Sequence, residues 1–222
     1  MSFWLKFAVF ASSALLLPAQ ETSALEREPQ GWVDVTPGSG LQGWTRLAIT
    51  PSLPDGVSQW SVGPGGVVLC EGNRGHEWLR YDKPLGDFIF HVEFRYTPVA
   101  GNPRYNSGIF VRTLPDYSLW YQLQIGSKAG GHFFGYLNLN GERRRFDYSG
   151  QMTDQRVKAA GEWNTVEVTA RGPALTAWVN GAVVNEWKYC PIEKGHIGLE
   201  AEGFRIEFRN LKAKTLAAAR LQ

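Results

Sequence analysis

The chain has 222 residues and a formal net charge of +2, with 23 lysines and arginines against 21 aspartates and glutamates. That near balance, interrupted by no basic run longer than Arg143–Arg145, argues against nucleic acid as a partner. The 25 glycines and nine tryptophans suit an all-β protein with many turns, and the length suits one domain better than two.

The chain opens on MSFWLK followed by FAVFASSALLLP, an apolar run too short to span a membrane. Residues 1–24 read as a secretory leader, with Ala19 and Ala24 as alternative cleavage points. Residues 25–31 read as a loose leader, residues 32–216 as one domain and residues 217–222 as a tail. No second long apolar run follows, so the expected location is periplasmic or secreted, with no membrane partner once the leader is removed.

After Trp32, runs of strand character alternate with turn signals such as GPGG (63–66), EGNRG (71–75), NLNGE (138–142) and VNGA (179–182). The clearest strands are expected at 67–70, 88–96, 108–113, 119–125, 132–139, 164–171, 174–180, 196–201 and 204–212. More than eight strands with short connections predict an all-β sandwich or barrel. Cys70 lies in the apolar run VVLC, so it either bonds to Cys190 in an exported chain or stays a buried thiol. Two cysteines so far apart do not make a zinc motif.

Alternation assigns faces, because successive side chains of a strand point to opposite sides. In FIFHVEFRY (88–96), Phe88, Phe90, Val92, Phe94 and Tyr96 form the core side, and His91, Glu93 and Arg95 form the other. The same parity sets Arg112 with Phe110, Trp120 with Gln122 and Gln124, and His132 with Phe134 and Tyr136; Glu200 pairs with Glu202. If these strands share one sheet with 88–96, its open face collects acids, guanidinium groups, amides and aromatic rings. Such groups grip sugar hydroxyls and stack on pyranose rings. The competing reading is a solvated face carrying structural ion pairs.

The ordered stretches GDF (86–88), EFR (93–95), NSGIFVR (106–112), YQLQIG (121–126), GEWNTVEV (161–168), WVNG (178–181), GLEAEG (198–203) and EFRNLK (207–212) resemble the 3-keto-disaccharide hydrolase domain family. The resemblance runs from about Gly43 to Leu216, and it implies a concanavalin-A-like, two-sheet antiparallel jelly roll with a ligand site on its concave face. It also implies action on an oligosaccharide or glycoside already oxidised at C3, by hydrolysis or elimination. A ketone there acidifies the C2 proton; a base removes it, the enolate is stabilised, and the C1 oxygen leaves with help from an acid.

On that pattern Glu93, Arg112 and Glu200 are the catalytic candidates. Arg95, Asn106, Trp120, Gln122, Gln124, His132, Phe134, Tyr136 and Glu202 are the candidates for binding substrate. The sequence departs from the family in three places: Gln122 stands where many members have glutamate, Gly126-Ser127 replace the usual Leu-Asp, and Glu200 stands where many have glutamine. An amide cannot act as a base. Either Glu200 supplies the missing carboxylate, or the activity is lost or changed. The spacing of His91 and His132 fits no standard metal motif, and no aspartate-rich loop offers a calcium site. No cofactor is expected, with calcium bound through carbonyl and carboxylate oxygens left as an open alternative. A binding module without chemistry and a protein-interaction domain stand beside the enzyme as competing functions.

Overall fold

The computed structural model describes residues 20–49, 57–102, 104–127 and 130–217. The expected leader up to Ala19 and all but the first residue of the expected tail lie outside them. The described residues hold one α-helical turn, α1 (Ala24–Arg27), three short 3-10 turns and fifteen strands. The first eight are β1 (Val33–Asp34), β2 (Trp44–Ala48), β3 (Trp60–Val62), β4 (Val68–Cys70), β5 (Glu77–Tyr81), β6 (Phe88–Tyr96), β7 (Gly108–Thr113) and β8 (Tyr121–Gln124). The rest are β9 (Phe133–Leu139), β10 (Glu142–Asp147), β11 (Asn164–Arg171), β12 (Ala174–Val179), β13 (Ala182–Trp187), β14 (His196–Ala201) and β15 (Ile206–Thr215).

They form a jelly-roll sandwich of two antiparallel sheets. One has the order β13-β12-β11-β6-β15-β4-β3, with β1 added to β15; the other has the order β10-β9-β8-β7-β14-β5-β2. Between them, Phe88, Phe90, Val92 and Phe94 of β6 and Val166, Val168 and Ala170 of β11 pack with Ile109, Val111, Tyr121 and Leu123 of the opposite sheet, all fully buried. Each large apolar side chain so placed contributes about 1.5–3 kcal/mol. Cys70 and Cys190 are both free and buried, and burial pushes the Cys70 thiol up to about 12.

β6 lies between β11 and β15, so it belongs to the first sheet, whereas β7, β8, β9 and β14 belong to the second. The single sheet expected to gather Glu93 with Gln122 and Glu200 is therefore two sheets. On the outer face of the first sheet, Glu93 pairs with Arg209 (2.7 Å) and Arg95 with Glu207 (2.5 Å). Both guanidinium groups lie over Trp163, at 4.6 Å for Arg95 and 3.9 Å for Arg209.

His91, on the same face, is buried by the N-terminal segment. Ser23 caps α1 with a reciprocal Glu26 bond, and the Ala24 and Leu25 N–H groups donate to Glu167 at 2.6 and 3.0 Å. His91 Nδ1 stands 2.9 Å from the same carboxylate. The expected loose leader is thus anchored at Leu25, by a hydrogen bond to a residue 142 positions away that local pattern cannot reveal. Burial works against charge on Glu167, but the bonds from His91, Ala24 and Leu25 outweigh it and hold its carboxyl below the ordinary range.

A depressed folded-state pKa gives stability that is present above the unfolded value and is lost as pH falls through the folded one. The Glu167→Gln variant is expected to be less stable than the parent by about 1–3 kcal/mol at neutral pH. The gap should close below about pH 4, which thermal melts across pH would measure.

Candidate functional site

The outer face of the second sheet carries a cleft of about 520 Å³. Asn106, Trp120, Gln122, Gln124, Phe134, Tyr136, Glu200 and Glu202 line it, so eight of the twelve sequence-derived positions share one hollow. His76, Tyr117, Arg143 and Arg145 join them.

The floor is an aromatic layer. Trp78 and Phe110 are fully buried, yet they face away from the inter-sheet core and meet edge-on at 5.2 Å. Tyr117 packs on both and stacks on Trp120 at 5.4 Å, and Trp120 in turn meets Phe134 at 5.3 Å and Tyr136 at 5.2 Å. Offset and edge-to-face contacts of this kind add about 0.5–1.5 kcal/mol per pair beyond area burial, which makes the floor stiff.

Above it runs a polar chain. Glu200 opposes Trp78 across the β14–β5 pair, and the residue after Ala201, Glu202, therefore approaches the residue before Glu77, His76. His76 Nε2 lies 2.7 Å from Glu200 Oε1 and 4.0 Å from Glu202 Oε2. Gln122 Nε2 donates to the other oxygen of Glu200. Asn106 Nδ2 donates to Glu202 Oε2 at 2.5 Å, and Asn106 Oδ1 accepts from Gln124 Nε2 at 2.9 Å. Glu200 and Gln122, where the sequence departs from the family pattern by exchanging a carboxylate and an amide, are thus direct partners.

The NSG motif explains how they meet. Ser107 Oγ donates to the Glu200 carbonyl at 2.8 Å, and Gly108 leaves the lane through which Gln122 crosses β7. A Cβ at Gly108 would stand 1.5 Å from Gln122 Nε2 and 2.4 Å from its Cγ. The Gly108→Ala variant is expected to expel Gln122 from Glu200, at a cost of about 1–3 kcal/mol. Its melting temperature and its ligand affinity, measured together, should both fall.

Burial opposes charge on His76, but the hydrogen bond to Glu200 and the negative charges of Glu200 and Glu202 outweigh it, so its pKa is raised. Burial, reinforced by the charge of Glu200 and opposed by His76, raises Glu202. The cleft therefore sets the Glu200 side chain, hydrogen-bonded to His76 and Gln122, beside a Glu202 carboxyl that keeps its proton to higher pH than an ordinary glutamate, as a general acid requires.

One ring nitrogen and two carboxylate oxygens, from His76, Glu200 and Glu202, lie within 4.8 Å of one another and could hold a divalent ion. The mixed donor set suits a zinc- or manganese-like ion better than calcium, which takes six to eight oxygens.

The remaining candidates lie elsewhere. Glu93 and Arg95 are on the other sheet, as described. Arg112 is fully buried and does not line the cleft. It takes a positive φ of 45° where the β14–β7 register shifts, which breaks the alternation that had set it beside Phe110. Its guanidinium donates to Asp87 Oδ1 (2.8 Å), to Gly86 O (3.1 Å) and to Gly172 O in the β11–β12 turn, and so ties the two sheets together. His132 flanks the cleft without lining it, 3.9 Å from Asp147 and 6.1 Å from the Phe134 ring.

His76, Tyr117, Arg143 and Arg145 were missed. His76 precedes EWLRY, whose first three residues are buried, so the segment shows no alternation. ERRRFD of β10 is exposed at nearly every position and has no apolar pattern; Arg143–Arg145 stood out only as a short basic run.

Residues 31–214 match the family model of the 3-keto-alpha-glucoside-1,2-lyase-like domain. The chain belongs to this family. No curated protein matches it. Among solved structures, the lyase-like domain described here is similar to a putative glycosyl hydrolase from Parabacteroides distasonis, with 16% identity, 89% of this chain and 100% of that chain covered, and a TM-score of 0.63. It is similar to the carbohydrate-binding module CBM66 from Bacillus subtilis, with 15% identity, coverage of 78% and 96%, and a TM-score of 0.57. It is also similar to the kappa-carrageenase from Pseudoalteromonas carrageenovora in complex with an oligotetrasaccharide of kappa-carrageenan, with 8% identity, coverage of 84% and 93%, and a TM-score of 0.52. At such identities these likenesses establish the fold. They join hydrolases and a binding module in one architecture.

Proposed function

We propose that this domain cleaves 3-keto-glycosides by elimination across C1 and C2, with net hydrolysis when water adds back. The observation that carries the reading is the His76–Glu200–Glu202 cluster with Gln122 bonded to Glu200, in a cleft lined by aromatic rings. One carboxylate and one amide exchanged between positions 122 and 200 leave a base in place, so the departures from the family pattern do not remove the chemistry.

Glu200 takes the C2 proton, and the C–H electron pair moves onto the C3 oxygen as an enolate. Protonated His76, beside Glu200, stabilises that charge. When the enolate collapses, the C1–O bond breaks, C1 and C2 become doubly bonded, and Glu202 gives its proton to the departing oxygen. The products are the free aglycone or sugar and a 3-keto-2-hydroxyglycal. Trp120, Tyr136 and Phe134 offer apolar faces to the rings, and Gln124 with Asn106 orients the carboxyl group of Glu202.

The test is to incubate the purified protein with 3-keto-glucosides and to look for free aglycone and the glycal. Release of both supports the reading; their absence where an active relative works would end it. A binding module is the second reading, favoured by the aromatic floor, which needs no chemistry to hold a glycan. Binding of unmodified oligosaccharides that Glu200→Gln leaves unchanged, with no turnover, would support it. Export follows from the leader-like first residues. A cut after Ala19 would keep the Ser23 cap and the Ala24 anchor, whereas a cut after Ala24 would remove both. No helix among the described residues is long and apolar enough to cross a membrane.

A further inference from the structure

The cleft is electrically polar along its length, and the catalytic reading uses only one end. At the β14 end stand Glu200 and Glu202; at the β10 end stand Arg143 and Arg145. Arg143 and Arg145 are two residues apart on one strand, so they share a face, while Arg144 turns to the other and pairs with Glu142. The Arg143 guanidinium lies over the Tyr136 ring at 3.8 Å, and that of Arg145 over Phe134 at 5.4 Å.

A guanidinium stacked on a ring uses its face and leaves the N–H donors in its plane to other partners, and both arginines line the cleft. Stacking also limits the rotamers that an anion would otherwise have to freeze. Among the described residues the acid nearest this pair is Asp147, at 3.5 Å from Arg145 and 39% exposed; Arg143 has no carboxylate within ion-pair distance. Positive charge is thus in excess at this end.

We infer that the β10 end is a subsite for an anionic substituent, a carboxylate or a sulfate, on the unit next to the reacting ring. The inference rests on the functional reading above and narrows it to acidic glycosides. The distance supports the neighbouring unit: β9, whose rings carry the arginines, and β14 are three strand spacings apart, about 14 Å. Planar guanidinium groups bind carboxylate and sulfate oxygens by paired N–H donation, and a neutral aglycone leaves that donation to water.

The experiment compares 3-keto-glucosides with three aglycones of similar size: 4-(hydroxymethyl)phenyl, 4-carboxyphenyl and 4-sulfophenyl. Both kcat/KM and calorimetric Kd are measured. The expected result is a preference of about 5–10-fold for one or both anionic aglycones. The preference should fall to about one in the Arg143→Ala/Arg145→Ala double variant and in 0.5 M salt, where screening shortens to a few ångströms. A carboxylate preference without a sulfonate one assigns a uronate-like group; the reverse assigns a sulfate ester.

Equal handling of all three aglycones by the parent protein overturns the subsite while the catalytic reading stands. Tighter binding of the anionic aglycones with no cleavage keeps the subsite and removes the catalytic reading. No binding of any of them removes both.

Discussion

Glu200→Gln is expected to lower turnover of a 3-keto-glucoside by about 10²–10⁴-fold while leaving the melting temperature close to that of the parent. The amide has the shape of the carboxylate; its one oxygen still accepts from His76, and a flip of the Gln122 amide lets Gln122 Oε1 accept from the new NH2, so the polar chain stays closed. What it loses is the ability to take a proton. The effect should therefore appear in kcat far more than in KM. The reciprocal exchange sharpens the result. Adding Gln122→Glu to Glu200→Gln restores one carboxylate and one amide in the same hydrogen-bonded pair, and the double variant is expected to recover much of the lost rate. The single change Gln122→Glu, in contrast, sets two carboxylates against each other and should lower both stability and rate. If Glu200→Gln turns over as fast as the parent, Glu200 is not the base.

Arg112→Met is expected to destabilise the fold by about 3–5 kcal/mol, a fall in melting temperature on the order of 10 °C. The side chain is fully buried, and its donors satisfy the Asp87 carboxylate and the carbonyls of Gly86 and Gly172. Truncating it leaves Asp87 without that buried partner. It also removes a bond from the second sheet to the turn between β11 and β12 of the first. Chemical denaturation would measure the loss, and turnover per folded molecule at low temperature would separate two roles. A structural clamp leaves that turnover near the parent value. A group that stabilises an enolate would instead lower it by orders of magnitude with little change in stability.

The alternation of β6 was legible because it has one apolar face, and Phe88, Phe90, Val92, Phe94 and Tyr96, which parity assigns to the core, are buried. Seven positions of the cleft were legible for a related reason, and Asn106 came with the NSG motif. Gln122 and Gln124, or Phe134 and Tyr136, are separated by one residue on a strand, so each pair must share a face. Parity is blind to three other things. It cannot say which sheet a strand joins, because pairing is a long-range contact; β6 carries an acid and a base on its wet face, yet it pairs with β11 and β15, and Glu93 and Arg95 go with it. It fails where the backbone leaves the extended region, as at Arg112 with φ of 45°. It gives no signal for a strand buried on both faces, which hid β5 and with it His76.

The sequence by itself therefore determined the strands with one apolar face, the all-β class and the family, because local periodicity and motif order are properties of the chain alone. Tertiary structure decided which polar residues meet. Glu200 meets His76 only because β14 pairs with β5 in a particular register, and it meets Gln122 only because Gly108 leaves the space to cross β7. Contacts between residues more than a hundred positions apart, such as His76 and Glu200, depend on pairings that no local window contains.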